Sequence, residues 1–249
     1  KKYKIGVVKM SSETDFQSLR DLIFYMLLGD GHITKYDPVR NSCMELCHSI
    51  KQKEYLFWKV SLLNDFGIKT GVPYYRKDKF ECRIRTERNP IFGILRKRCY
   101  DENGKKYLSK RMLKDLTPLG LSIWFMDDGS AKLIHPIWRK NKYNVSDRPD
   151  YKLNQIKFAV CSFDEKSNTN AIDILKKNFG LNFTLIYEKN KKQNKEYPML
   201  LLQGYEQLDL FKNIVSPHII PSMRYKIDHP TSFSRLSPEE TERNENEYV

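Results

Sequence analysis

The sequence predicts an α+β protein made of two pseudo-symmetric repeats, each with the element order αββαββα. Three observations support this fold class. An apolar segment ending in Asp-Gly occurs twice, as IFYMLLGDG at 23–31 and as LSIWFMDDG at 121–129. An amphipathic segment that closes on Phe-Gly also occurs twice, at 54–68 and at 171–181. Stretches of alternating polar and apolar residues fill the spaces between them, as in antiparallel sheets with one covered face.

The apolar segments have the features of buried helices. In the second copy, Thr117 is a good N-cap and Pro118 suits the first helical position. The residues that follow leave almost no polar side, so this helix must be surrounded by protein. Gly129 is the expected C-terminal stop. The two Phe-Gly segments repeat apolar residues at helical spacing and are predicted to cover the sheets.

Alternation of polar and apolar residues predicts the strands. In KFECRIR, the residues Phe80, Cys82 and Ile84 are predicted to point inward, and the charged residues between them outward. Segments 181–189 and 197–203 flank a polar turn and are predicted to form a hairpin. The polar face of each sheet remains available for a partner. The clearest alternating segments are 43–50, 79–85 and 155–163.

Two repeats and a tail divide the chain. The first repeat is predicted over 16–112 and the second over 113–231, with a flexible, acidic tail at 232–249. The formal net charge is +13, and the part from Ser237 onward carries −4, which leaves +17 on the rest. A folded body this basic favours a polyanion, most often nucleic acid.

The hydropathy and the number of cysteines indicate in which cellular compartment the protein is expected. No stretch reaches the ~20 apolar residues of a membrane span, so no membrane partner is expected. Five cysteines, an odd number, favour a reducing, intracellular location over a disulfide framework. The Lys- and Asn-rich composition suggests an organelle, a bacterium or a phage. Cys43, Cys47 and His48 allow a zinc reading, but the other cysteines stand alone without metal-ligand spacing.

The acids at the ends of the apolar helices occupy positions where a negative charge destabilises a helix. Asp30 and the pair Asp127 and Asp128 lie where unpaired carbonyls already make the environment negative. Asp-Gly is a common turn dipeptide, which would explain one copy. Two copies at matching positions instead predict an oxygen-rich cluster for a hard divalent cation such as Mg²⁺.

These segments resemble the two signature copies of single-chain LAGLIDADG homing endonucleases of the intron-encoded type, over roughly residues 16–230. TPLGLSIWFMDDG and IIPSMRYKI are the most specific parts. The resemblance implies signature helices packed at the repeat interface and sheets forming a DNA-binding saddle. It implies Mg²⁺ (or Mn²⁺) held by Asp30 and Asp128, with main-chain oxygens from Gly29 and Asp127.

One departure from the family pattern concerns the helix interface. The family has small residues at signature positions two and three. This chain has Phe24 and Tyr25 in the first copy, and Ser122 and Ile123 in the second. The interface is therefore expected to be looser or shifted.

The family also places a basic residue near each scissile phosphate. Lys226 matches this position in the second repeat, and Lys106 is its counterpart in the first, with Lys105 as the alternative. Such a lysine would stabilise phosphorane charge or position the attacking water.

The resemblance implies a monomeric, site-specific endonuclease that hydrolyses double-stranded DNA at a long asymmetric target and leaves 3′ overhangs. Two alternatives stay open, an RNA maturase that binds intron RNA and a cleavage-deficient DNA-binding protein.

Asp127 is expected to act through its main chain, so the effect of Asp127→Asn should be milder than that of Asp128→Asn. The polar sheet face and the basic loops are expected to contact DNA. The DNA-binding residues predicted in these places are Glu45, Arg76, Lys77, Lys79, Arg83, Arg85, Arg139, Lys140, Lys142, Lys152, Gln155, Lys157, Lys189, Lys191, Lys192 and Lys195.

Overall fold

Two four-stranded antiparallel sheets, each packed against helices, make up the part of the chain that the structure describes. The computed structural model describes residues 13–35, 41–134, 152–190 and 193–228. The predicted α+β class and the two αββαββα halves are confirmed. The predicted acidic tail at 232–249 lies outside the described residues.

The first half forms a sheet with the strand order β1-β2-β4-β3. Its core strand β2 pairs with both β1 and β4, and β3 lies at the edge. The elements of this half are α1 (Glu13–Leu28), β1 (His32–Ile33), β2 (Met44–Ser49), α2 (Lys53–Asp65), β3 (Tyr74–Arg76), β4 (Glu81–Arg85) and α3 (Pro90–Cys99).

The second half repeats this arrangement with the strand order β5-β6-β8-β7. A short helix, α4 (Lys110–Leu113), joins the halves, and the predicted domain boundary between 112 and 113 falls inside it. The elements of this half are α5 (Pro118–Asp128), β5 (Gly129–Ile134), β6 (Lys152–Ala159), α6 (Glu165–Phe179), β7 (Thr184–Asn190), β8 (Lys195–Leu202) and α7 (Tyr205–Val215). A 3₁₀ segment, Pro221–Lys226, follows α7.

Helix α5 begins and ends where the sequence predicts. The Thr117 hydroxyl accepts a hydrogen bond from the Gly120 N–H at 3.2 Å, and Pro118 is the first helical residue. Gly129 ends the helix in an extended conformation and begins β5. Glycine is required here by packing rather than by a left-handed turn, because a Cβ would lie 2.1 Å from Phe125 Cδ2.

Helices α1 and α5 pack against each other at the centre of the molecule, as the resemblance implied. A Cβ at Gly120 would lie 2.6 Å from the Tyr25 ring, and a Cβ at Gly29 would lie 2.3 Å from the Asp127 Cβ. The Tyr25 hydroxyl donates to the Asp115 carbonyl at 3.0 Å, across the same interface. The close approach thus occurs at Gly29 and at Gly120, where the partner is the Tyr25 ring of signature position three. The other residues at positions two and three, Phe24, Ser122 and Ile123, are also buried.

The strand predictions hold with one exception. Strands β2 and β6 alternate between buried and half-exposed residues, and β7 and β8 form the predicted hairpin. The inward orientation predicted for Phe80 is wrong, because this side chain is 60% exposed. A 3₁₀ turn, Lys77–Lys79, interrupts the strands just before Phe80, and Phe80 itself has a φ of +50°. The alternation of buried and exposed residues therefore starts only at Glu81.

Buried apolar residues from both halves form one continuous core. In the second half, an aromatic group centred on Phe158 packs Trp124, Phe125 and Phe211 against the sheet, with ring centroids 4.8 to 6.1 Å apart. Among the described residues, no helix is long and apolar enough to cross a membrane. The shared core holds the ends of α1 and α5 in fixed positions.

Candidate metal centre at the ends of the signature helices

The two signature helices end side by side, which brings the predicted acids into one region. The Asp30 N–H donates to Asp127 Oδ2 at 3.1 Å, so the chain just after α1 is bonded directly to the last turn of α5. The Asp30 side chain is 41% exposed, whereas the Asp127 side chain is fully buried. Asp128 follows at the very end of α5. One acid from each half thus stands at the meeting point of the helices.

Two lysines satisfy the free carbonyls at these helix ends. Lys106 Nζ donates to the carbonyls of Leu27 at 3.0 Å, Gly29 at 2.7 Å and Gly31 at 3.3 Å. Lys105 is exposed, so Lys106 is the lysine that reaches the site. The ammonium groups complement the negative ends of the helix dipoles.

Lys226 does the same for the second helix. Its Nζ donates to the carbonyls of Met126 at 2.5 Å, Asp127 at 3.1 Å and Gly129 at 3.0 Å. The two lysines therefore occupy equivalent places in the two halves. Burial lowers the pKa of both, although the neighbouring acids counteract that effect.

Asp127 forms a buried ion pair with Lys59, a residue of α2. The distance from Lys59 Nζ to Asp127 Oδ1 is 2.5 Å, and both side chains are fully buried. Burial disfavours the Asp127 carboxylate, but the Lys59 ammonium compensates and holds the pKa of Asp127 below its usual value. Sequence reasoning assigned only a main-chain role to Asp127, and the structure adds this side-chain role.

His48, on β2, lies between this ion pair and Asp30. Its Nε2 is 3.1 Å from Lys59 Nζ, and its Nδ1 is 3.4 Å from Asp30 Oδ2. Burial and the nearby Lys59 ammonium lower the pKa of His48 to about 4, so the imidazole is neutral at pH 7. Sequence reasoning considered His48 only together with Cys43 and Cys47.

Asp30 and Asp128, which form no ion pair with a lysine or arginine among the described residues, both have a raised pKa. Burial and the Asp30 carboxylate raise the pKa of Asp128 to about 7. Partial burial and the Asp127 carboxylate raise the pKa of Asp30. A cation bound to these acids would offset both the burial and the repulsion between carboxylates that raise the two pKa values.

The donor set at the helix ends fits a hard divalent cation. The Asp30 and Asp128 carboxylates supply oxygen ligands. The carbonyls of Gly29 and Asp127 each accept from a lysine, but a carbonyl has a second lone pair that remains available. Oxygen ligands alone favour Mg²⁺ or Mn²⁺.

A second ligand combination lies beside the first. Asp30, His48 and Asp127 offer ligand atoms that lie within 4.8 Å of one another. Among the described residues, these three form the one group of metal-ligating side chains close enough together to hold an ion. Cys43 and Cys47 do not belong to this group. Lys59 Nζ already contacts two of its three members.

The structure places most predicted DNA-binding residues on the polar sheet faces or in the turns, where they are exposed or half-exposed. Several of them form ion pairs there. Arg83 bonds to Glu45 at 3.3 Å and Arg85 bonds to Glu45 at 2.6 Å, while Lys157 pairs with Glu188. The residues found on these surfaces are Glu45, Arg76, Lys79, Arg83, Arg85, Gln155, Lys157, Lys189 and Lys195.

Other predicted contacts cannot be placed. Arg139, Lys140, Lys142, Lys191 and Lys192 lie outside the described residues, and the side chains of Lys77 and Lys152 are likewise not described. Their DNA contacts stay predictions.

Sequence reasoning missed Lys59 and the role of His48. A weak signal was present, because Lys59 lies in WKVSLL, between residues of the apolar side of α2, where a lysine is unexpected. Its partner Asp127 is distant in sequence, so the pairing appears only in the folded molecule.

Comparison with known proteins agrees with the fold. Residues 20–210 match the LAGLIDADG DNA endonuclease family, and the chain belongs to that family. The solved structure of the homing endonuclease I-WcaI bound to its DNA recognition sequence has a similar fold. The two share a TM-score of 0.60 and 20% sequence identity, over 90% of this chain and 95% of the other.

Curated relatives differ in how much of their length this chain covers. A probable intron-encoded endonuclease of Wickerhamomyces canadensis is 28% identical over 209 residues, which are 81% of this chain and 80% of the relative. RecA of Mycolicibacterium flavescens is 29% identical over 217 residues, which are 87% of this chain and 47% of the relative. The chain thus spans about half the length of the RecA relatives.

Proposed function

We propose that this chain is a site-specific endonuclease that hydrolyses double-stranded DNA with a divalent cation, Mg²⁺ or Mn²⁺, at a long asymmetric target. The observation that carries the proposal is the pair Asp30 and Asp128, one acid from each half, at the adjoining ends of α1 and α5. Each helix end also receives a half-buried lysine, Lys106 or Lys226. Membership of the LAGLIDADG DNA endonuclease family supports this reading.

Each residue of the centre has a separate task in this proposal. Asp30 and Asp128 would hold the cation with the carbonyls of Gly29 and Asp127. The cation would acidify a water molecule and stabilise charge on the leaving 3′ oxygen. Lys106 and Lys226 would place positive charge next to each scissile phosphate. Because each half contributes one acid and one lysine, a monomer would cut both strands. The resemblance to the family implies that this cut would leave 3′ overhangs.

The polar faces of the two sheets would contact the DNA. Two-stranded and larger β-ribbons fit the major groove, where side chains can read base edges. Arg83 and Arg85 lie on such a face and are held in place by Glu45. Ordered guanidinium groups lose less entropy on binding than free ones. Exposed Lys79, Lys189 and Lys195 would contact phosphates at the ends of the strands.

A library of randomised duplex targets in Mg²⁺ tests the proposal. We expect the wild-type protein to select and cut a single target class, with both strands cut. Asp30→Asn and Asp128→Asn should each abolish cutting while the variants still bind the selected duplex. Asp173→Asn is the matched control, because Asp173 is an exposed acid that pairs with Lys110 far from the helix ends in sequence.

Three outcomes would contradict the proposal. Cutting that persists in both acid variants would remove the metal centre from the reaction. Duplex binding with no cutting in Mg²⁺ or Mn²⁺ would support the cleavage-deficient alternative. Preferential binding of a structured intron RNA over duplex DNA, with no cutting, would support the RNA maturase.

A further inference from the structure

Lys59 is a buried cation with no task in the cleavage reaction proposed above. Its side chain is fully buried, and Nζ lies 2.5 Å from Asp127 Oδ1 and 3.1 Å from His48 Nε2. An ammonium group can only donate, so His48 Nε2 must be the acceptor. The ring proton of His48 is therefore on Nδ1, which lies 3.4 Å from Asp30 Oδ2.

The position of this ammonium group decides which ligands remain free. Asp30, His48 and Asp127 have the spacing of a metal site, with ligand atoms within 4.8 Å of one another. A cation bound to both His48 Nε2 and Asp127 Oδ1 would have to occupy the place of Lys59 Nζ, because both atoms already point to it. The Asp30 carboxylate is directed partly to solvent and stays available.

We propose that Lys59 determines the metal specificity of the centre, because its ammonium group occupies the nitrogen-containing part of the cluster and leaves only oxygen ligands for a divalent cation. This inference rests on the proposed function and deepens it. Zn²⁺ binds well to imidazole, whereas Mg²⁺ takes oxygen ligands and keeps several waters. With Lys59 in place, the site takes the hard cation and excludes Zn²⁺ from His48.

The equivalent positions in the second half differ from those in the first. Gly67 and Gly180 have the same left-handed conformation at the ends of α2 and α6, with φ of +72° and +70°. The buried residues Tyr55, Leu56 and Leu63 of α2 match the buried residues Ser167, Asn168 and Leu175 of α6, so Ala171 corresponds to Lys59, and the buried Val160 corresponds to His48. The buried ammonium group therefore belongs to the first half, next to Asp30.

Zn²⁺ titration of protein with ¹⁵N-labelled histidine rings tests the inference. In the wild-type protein, the His48 ring nitrogens should keep their shifts when Zn²⁺ is added. In Lys59→Met, the Nε2 signal should move on Zn²⁺ binding, and Zn²⁺ affinity should rise at least about tenfold. Loss of even an indirect partner changes metal affinity roughly tenfold to a hundredfold, so gain of an imidazole ligand should do at least as much.

Controls separate this effect from other histidines and from charge alone. His48→Gln assigns the His48 signals, and Lys59→Met with His48→Gln should lose the gain in affinity. Lys110→Met is the matched lysine control, since Lys110 is exposed and pairs with exposed Asp173 at 2.6 Å. It should leave Zn²⁺ binding at the wild-type value.

The variant Lys59→Met leaves Asp127 without its partner, which threatens folding. The double variant Lys59→Met, Asp127→Asn leaves neither charge unpaired and keeps His48 and Asp30, so its Nε2 signal should also move with Zn²⁺. A folded double variant whose ring does not respond would overturn the inference. Binding of Zn²⁺ to the His48 ring in the wild-type protein would also overturn the inference.

These measurements need no DNA and are independent of the proposed function. If no target is ever cut, the response of the His48 ring still decides whether Lys59 blocks the imidazole. If DNA is cut in Mg²⁺ and the ring of Lys59→Met does not respond, only the specificity inference fails.

Discussion

Asp127 and Asp128 are neighbours in the sequence but have different surroundings. The Asp127 carboxylate is fully buried, accepts from the Asp30 N–H and pairs with Lys59. Burial and repulsion by the Asp30 carboxylate raise the pKa of Asp128 to about 7. One acid therefore contributes to the fold, while the other is held in an unfavourable place that a cation would relieve.

These surroundings predict opposite effects of the two Asp→Asn changes on stability. Asp127→Asn leaves the buried Lys59 ammonium without a counter-charge, so the free energy of unfolding should fall by about 3–5 kcal/mol. Asp128→Asn removes one of two repelling carboxylates and should leave that free energy unchanged or slightly higher. Urea denaturation in the absence of divalent cations measures both. A loss of the same size in the two variants would show that the buried pair does not stabilise the fold.

The interface between α1 and α5 depends on glycine at a place that the family pattern does not indicate. The Tyr25 ring packs over Gly120 and its hydroxyl reaches the Asp115 carbonyl at 3.0 Å. The large residues Phe24 and Ile123 are accommodated in the core around this contact. The helices thus approach each other closely even though Phe24, Tyr25 and Ile123 stand where the family usually has small residues.

Gly120→Ala should therefore destabilise the protein, although alanine is the better helix former. The added Cβ would lie 2.6 Å from the Tyr25 ring, which must move and lose its hydrogen bond. We expect a net loss of about 1–3 kcal/mol in the free energy of unfolding, despite a propensity gain of roughly 0.5–1 kcal/mol. Thermal and urea denaturation measure the change. Gly71→Ala is the control, because its Cβ would contact only the Arg85 carbonyl at 3.6 Å.

Local sequence signals predicted the elements better than the contacts between them. Thr117 and Pro118 act locally, and the structure has the helix start that they predict. Phe80 fits the alternation of polar and apolar residues in the sequence, but it follows a 3₁₀ turn and has a positive φ, and the alternation gives no sign of either. Lys59 and His48 function through partners on other elements, so no periodicity in α2 or β2 could indicate their roles.

At the scale of the whole molecule, positively charged side chains on the polar face of the first sheet form ion pairs with acids. The sequence has a net charge of +13, yet Arg83 and Arg85 share Glu45, and Arg83 also bonds to Glu81 at 2.9 Å. The acids on this face hold the guanidinium groups in fixed positions and lower the local positive potential. Such pairing favours specific readout over indiscriminate attraction to phosphate.

Salt titration of DNA binding tests this view of the charge distribution. Affinity for a labelled duplex should fall roughly a thousandfold or more between about 50 and 200 mM salt, the loss expected for six or more neutralised phosphates. Glu45→Gln removes the counter-charge of Arg85 and one of the two counter-charges of Arg83, so it should tighten binding to random-sequence duplex and make the salt dependence steeper. Glu54→Gln changes the net charge equally but lies on α2, and should leave the slope nearly unchanged. A flat salt dependence in the wild-type protein would count against DNA as the partner, and equal slopes in the two variants would count against the sheet face as the contact surface.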